Sequence, residues 1–136
     1  RNLAINRNDI EARMFGVQLQ AVNVGSNLVS HDDVDINGNH FTAGNYCVGV
    51  IGGSAPARTM SNVVLRRNCF AATTGSTGVS GVAVSSNATI PTHGGLVDAR
   101  RNYWDAANGP STVGPGSGLG VTAKVDFSKW LDSCPH

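Results

Sequence analysis

The chain repeats itself. Four segments align without gaps: LAINRNDI (3–10), VDINGNHF (34–41), VVLRRNCF (63–70) and VDARRNYW (97–104). Each reads apolar, x, apolar, x, x, Asn, x, large apolar. The shared polar position is Asn8, Asn39, Asn68 and Asn102, at intervals of 31, 29 and 34 residues. A second motif follows in the first three repeats: GVQL (16–19), GVIG (49–52) and GVAV (81–84).

The apolar positions alternate with period two, which is the signature of strands. Within VDINGNHF, Val34, Ile36 and Phe41 face one way, while Asp35 and His40 face the other. The residues around the asparagine break the alternation and form a turn. A unit of this size cannot bury its own apolar face and must stack on its neighbours. The expected product is a solenoid that grows by about 4.8 Å per coil.

Stacking places equivalent residues above one another. An asparagine side chain has both a donor and an acceptor, so a column of them can tie coil to coil. Asparagine also tolerates the left-handed conformation of a sharp bend. Ile10, Phe41, Phe70 and Trp104 form an adjacent large apolar column. Leu3, Val34, Val63 and Val97 form another, and Ile5, Ile36, Leu65 and Ala99 a third.

Composition agrees. One glutamate and two lysines among 136 residues leave little material for exposed helices, whereas 17 glycines suit tight turns. The length fits one domain. A net charge of +1 gives no global attraction to nucleic acid. No stretch approaches the roughly 18 apolar residues of a membrane span. No signal peptide is visible and the chain starts at Arg1, which suggests a processed or trimmed product. The low lysine and glutamate content and the turn-rich composition suit an extracellular or cell-surface protein.

The pattern V-x-I-x-x-N-x-F followed by G-V-x-L resembles the coils of the pectate-lyase-like superfamily. The terminal RRNYWDAANGPS and VDFSKWL resemble the closing segment of its secreted bacterial members. The resemblance implies an all-β, right-handed parallel β-helix of about four coils over residues 1–104. Residues 105–136 would form a loop and capping tail of the same domain, with Phe127, Trp130 and Leu131 covering the last coil. No matching cap is visible at the N-terminus. Preceding coils, or self-association through the first coil, are expected to cover it.

In enzymes of this kind the substrate lies along one sheet, which here would be the GVxL strands. Their outward positions include Gln18, Ile51 and Ala83, and the adjoining loops carry only Glu11 and Arg13 as charges. Neither the calcium ligands and base of a lyase nor the close carboxylates of a hydrolase can be assembled. No catalytic residue, metal or cofactor is assigned. In HDDVD (31–35), Asp33 and Asp35 would share the outer face with Asp32 at a turn, and solvated turn residues are the simpler reading than a calcium site. His31, His40, His93 and His136 are scattered and read as surface residues. GPGSGLG lacks the lysine and helix of a phosphate loop, and Asn87 of NAT reads as a turn residue.

The cysteines, Cys47, Cys69 and Cys134, fit no zinc spacing. They read either as small buried side chains or as one bridge from Cys134 that pins the tail. Cys69, between Asn68 and Phe70, is the less core-like candidate.

Arg66, Arg67, Arg100 and Arg101 should stack into a basic patch at one corner, partly offset by acids such as Asp98. It reads as a solubilising edge or as a contact for an acidic glycan; nothing suggests a nucleic-acid reader. The leading expectation is an extracellular scaffold without its own catalytic site. The alternatives are the end of a polysaccharide-active lyase or hydrolase, or a glycan-binding module.

Overall fold

The computed structural model describes residues 2–20, 23–24, 27–28, 31–52 and 59–136. The chain is an all-β parallel solenoid whose only helical turn is His93–Gly95 among the described residues. The first coil is β1 (Leu3–Asn6), β2 (Asp9–Ala12) and β3 (Phe15–Gln20). A small antiparallel pair, β4 (Asn23–Val24) and β5 (Asn27–Leu28), interrupts the path. The second coil is β6 (His31–Asn37), β7 (His40–Ala43) and β8 (Tyr46–Ile51). The third is β9 (Met60–Arg66), β10 (Cys69–Ala72) and β11 (Ser80–Val84).

A fourth coil is partial. It holds β12 (Val97–Asp98), a single bridge from Tyr103 to Cys69, and β14 (Gly120–Val121) beside β11, while β13 (Ser111–Thr112) and β15 (Val125–Asp126) lie one layer further, beside β14 and β12. Three coils are therefore complete, against the expected four or so. The tail does more than lie across the end. Its β14 and β15 join two of the sheets, beside β11 and β12, and the chain then crosses the last coil. Trp130 packs on Gly109 and donates Nε1–H to Ala107 O, Phe127 lies beside it, and Leu131 N–H bonds to Asn102 O.

Three parallel sheets run along the molecule: β1-β6-β9-β12-β15, β2-β7-β10 and β3-β8-β11-β14-β13. The pairing aligns Leu3, Val34 and Val63, then Ile5, Ile36 and Leu65, then Ile10, Phe41 and Phe70, as the repeat requires. Phe70 sits 4.9 Å from Trp104 between ring centroids, which continues the large column. All of these in the second and third coils are buried; their partners in the first coil are only half-buried.

The second motif is in a different register from the sequence alignment. Val48 pairs with Val17 on one side and Val82 on the other, so Gly16 aligns with Cys47 and Gly81, and Gly49 aligns with Gln18 and Ala83. A two-residue slip keeps valines on the same face, so periodicity alone does not detect it. The true column of Gly16, Cys47 and Gly81 is small because the aromatic column presses on it. A Cβ on Gly81 would come within 2.6 Å of Trp104, and one on Gly16 within 2.9 Å of Phe41.

Candidate functional site

The asparagines form one continuous ladder. Asn39 Oδ1 accepts from the backbone N–H of Asn8 at 2.9 Å and from its Nδ2 at 3.1 Å. Asn68 and Asn102 repeat both bonds with the coil before them. Each Nδ2 also reaches back to a carbonyl: Asn39 to Ile5, Asn68 to Ile36 and Asn102 to Leu65. Asn39, Asn68 and Asn102 are fully buried and satisfied, which such groups require in a low-dielectric interior.

The left-handed bend falls on the residue before the asparagine rather than on the asparagine itself. Arg7, Gly38, Arg67 and Arg101 have φ of 57°, 71°, 55° and 62°. Three arginines thus hold a backbone conformation that glycine adopts at lower cost.

These arginines face solvent at the corner between the first and second sheets. Arg66, Arg67, Arg100, Arg101 and Lys129, with Asn37, line one cleft of about 480 Å³. Asp98 offsets part of that charge. It is 5% exposed, accepts two bonds from the Arg100 guanidinium at 2.8 and 2.9 Å and one from the Arg100 backbone N–H at 3.4 Å, and one from Arg66 at 3.3 Å. The Arg100 hydrogen bond, with Arg66 behind it, outweighs burial and holds the Asp98 carboxyl well below the usual carboxylate range. Asp126 is pulled upward by partial burial, but bonds from Ser128 and His93 win and its pKa is lowered. Arg67, Arg101 and Lys129 have no carboxylate partner among the described residues. Lys129 was invisible to the repeat, because only the path of the tail brings it to the corner.

The outward face of the third sheet carries no carboxylate. Gln18 is exposed, Ile51 and Ala83 are partly so, and the strands read FGVQLQ, YCVGVI and SGVAV. Tyr46 stacks on Phe15 with centroids 4.4 Å apart and donates its hydroxyl to Gln18 Oε1.

In the acidic run the bend lies at Asp33 (φ 54°), inside β6, and not at Asp32, which accepts from Ser61. Asn62 repeats that bend one coil on (φ 52°), and its Nδ2 bonds to Asp33 Oδ1 at 2.9 Å. Asp33 and Asp35 are exposed, as expected. Asn87 bonds within its own turn to Ser85.

The histidines are not scattered. His93 Nε2 lies 2.7 Å from Asp126 Oδ2, and His40 Nε2 lies 2.7 Å from His136 Nδ1. The side chain of His31 is outside the described residues. Cys69 and Cys134 form a disulfide with Cα atoms 5.5 Å apart, which pins the tail to β10. Cys69 is buried at 6% exposure, yet it stands outside the apolar cluster. Cys47 is the free thiol; burial pushes its pKa up to about 12, so it is inert at neutral pH.

The two ends of the solenoid differ. β1, β2 and β3 are all edge strands at one end, with no strand upon them among the described residues. The Phe15 and Tyr46 rings are within 17° of parallel, so the second face of Phe15 points toward that open end; Phe15 is 41% exposed. Comparison of the chain with family models, with curated proteins and with solved structures finds no match.

Proposed function

We propose that the chain is a non-catalytic β-solenoid scaffold segment, related to the pectate-lyase-like superfamily, that stacks through its N-terminal face on a further coil of the same polarity. The observation that carries this reading is the state of Asn8. Every later ladder oxygen accepts two bonds from the coil before it, whereas Asn8 Oδ1 accepts none among the described residues. The half-buried Leu3, Ile5, Ile10 and Val17 present unfinished columns at the same face. A coil with an asparagine in register would complete both.

Head-to-tail filaments of this segment are disfavoured by the same geometry, since the tail closes the opposite end. The Cys69–Cys134 bridge supports an oxidising, extracellular setting. Tandem duplication of residues 1–31 places a new asparagine 31 residues before Asn8, the spacing that separates Asn8 from Asn39. The lengthened chain should unfold at higher denaturant concentration. No gain in midpoint overturns the stacking reading.

A second reading has its own support. The cleft that holds Arg67, Arg101 and Lys129 without carboxylate partners suits a polyanion such as an acidic glycan. Retention on a polyuronate or sulfated glycan column should fall with salt, and Arg67→Ala with Arg101→Ala should abolish it. Equal retention of the double variant removes this reading.

A further inference from the structure

The disulfide is surrounded by two imidazoles. His40 and Cys69 are register partners on β7 and β10, so both project from the same side of a rigid sheet. Cys134 and His136 come from the tail, two residues apart. One ring nitrogen from each histidine and the two Sγ atoms all lie within 4.8 Å of one another, and His40 Nε2 is 2.7 Å from His136 Nδ1. Cys134 Sγ is 3.4 Å from His40 Nε2. The His136 ring is oriented from behind: its Nε2 lies 3.0 Å from Arg67 O, which can only accept, so Nε2 carries the proton and Nδ1 offers its lone pair to the cluster.

We infer that reduction of the Cys69–Cys134 bridge creates a Cys₂His₂ site for Zn²⁺, and that metal and disulfide are alternative ways of holding the tail. The donor set is that of tetrahedral structural zinc. Zn–S and Zn–N bonds of about 2.3 and 2.0 Å require S···S and N···N edges of about 3.8 and 3.3 Å. Loss of the S–S bond separates the sulfurs, and the imidazole nitrogens open from 2.7 Å by a small side-chain rotation. Two ligands are fixed on strands and two ride on the tail, so the site can close without moving the solenoid. His136 is exposed, which gives the ion a way in.

The chemistry balances. Two molecules of a small thiol supply two electrons and two protons. The protein S–S bond breaks, two cysteine thiols form, and the small thiols leave as their own disulfide. Zn²⁺ then binds both sulfurs as thiolates and releases two protons, while the His40 proton that faces His136 moves from Nε2 to Nδ1 so that Nε2 can ligate. A small-molecule disulfide reverses the first step once the metal has left.

The test uses the whole chain, reduced with a phosphine and then freed of it without air. Co²⁺ serves as the visible probe and Zn²⁺ as the competitor. The reduced chain should bind one equivalent of Co²⁺ with a thiolate-to-cobalt charge-transfer band and tetrahedral d–d bands, and Zn²⁺ should displace it. The oxidised chain should show no charge-transfer band. His40→Ala and His136→Ala should each weaken binding by at least ~10-fold. Zn²⁺ should also slow alkylation of Cys69 and Cys134, with buried Cys47 as the internal reference. Circular dichroism of the reduced chain and of both variants reports whether the solenoid is retained; exposed His136 gives a variant whose folding is not in question. A reduced, folded chain without the charge-transfer band overturns the inference. So does unchanged affinity in both histidine variants, which would reduce the binding to that of free thiols.

Discussion

Asn8 and Asn102 end the same ladder in opposite ways. Asn102 sends its Nδ2–H to Ala99 O in its own coil at 2.7 Å, where a further coil would have offered another asparagine oxygen. Asn8 leaves its Oδ1 without a donor among the described residues. The ladder is thus finished at one end and unfinished at the other, and the energetic cost of losing a rung depends on where it stands.

Asn68 is a costly rung, buried on both sides. Its loss strands the buried N–H of Asn39 and the carbonyl of Ile36. Asn68→Ala should cost about 3 kcal/mol, and exposed Asn8→Ala less than ~1 kcal/mol. Urea denaturation of the two variants measures the difference.

Arg67 occupies a left-handed bend, while Gly38 holds the same place one coil earlier. Arg67→Gly should be neutral or stabilising by up to ~1 kcal/mol, the relief of φ exceeding the added chain entropy. Gly38→Arg should cost a similar amount. Thermal melts of both variants decide this, and a large loss in Arg67→Gly would give the arginine a structural role that the backbone does not require.

Asp98 links stability to pH. Its folded pKa lies below the unfolded value of about 3.9. The contribution is therefore fully present above that pH, fades as pH falls below it, and is gone only beneath the folded value. Asp98→Asn should lose about 2 kcal/mol at neutral pH. Its stability should also depend less on pH between about 4 and 2, as read by denaturation at several pH values.

Glycines in the second motif are unequal. At Gly81 a methyl group meets the buried Trp104 ring at 2.6 Å, and no rotation relieves it. At Gly49 it meets Tyr46, a half-buried ring able to swing outward. Gly81→Ala should cost about 2 kcal/mol or more and Gly49→Ala less than ~1 kcal/mol. Similar losses at both sites would mean that the Tyr46 stack on Phe15 is as rigid as the core.

Much of this architecture is legible in the sequence, because a stacked coil imposes the same demand at the same place each time. Asn8, Asn39, Asn68 and Asn102, and the column ending at Trp104, follow from that demand alone. The register of Gly49 does not, because a slip of two preserves every inward valine. The pairing of Cys69 with Cys134, and of His40 with His136, is set by where the tail crosses the coils. That path has no repeat to announce it. The arginine corner was visible as charge, but its division into Asp98-bound Arg66 and Arg100 and uncompensated Arg67, Arg101 and Lys129 needed side-chain geometry.

Two equivalent amides test the unfinished face most directly. Arg7 N–H bonds to Asn37 O and Gly38 N–H bonds to Arg66 O, both at 3.0 Å, one coil apart. If the N-terminal face lacks its neighbour, native-state hydrogen exchange should be at least ~10-fold faster at Arg7 than at Gly38, because the first coil opens without the rest. Equal protection at the two amides would show a first coil as secure as the second, and would contradict a face built to receive another coil.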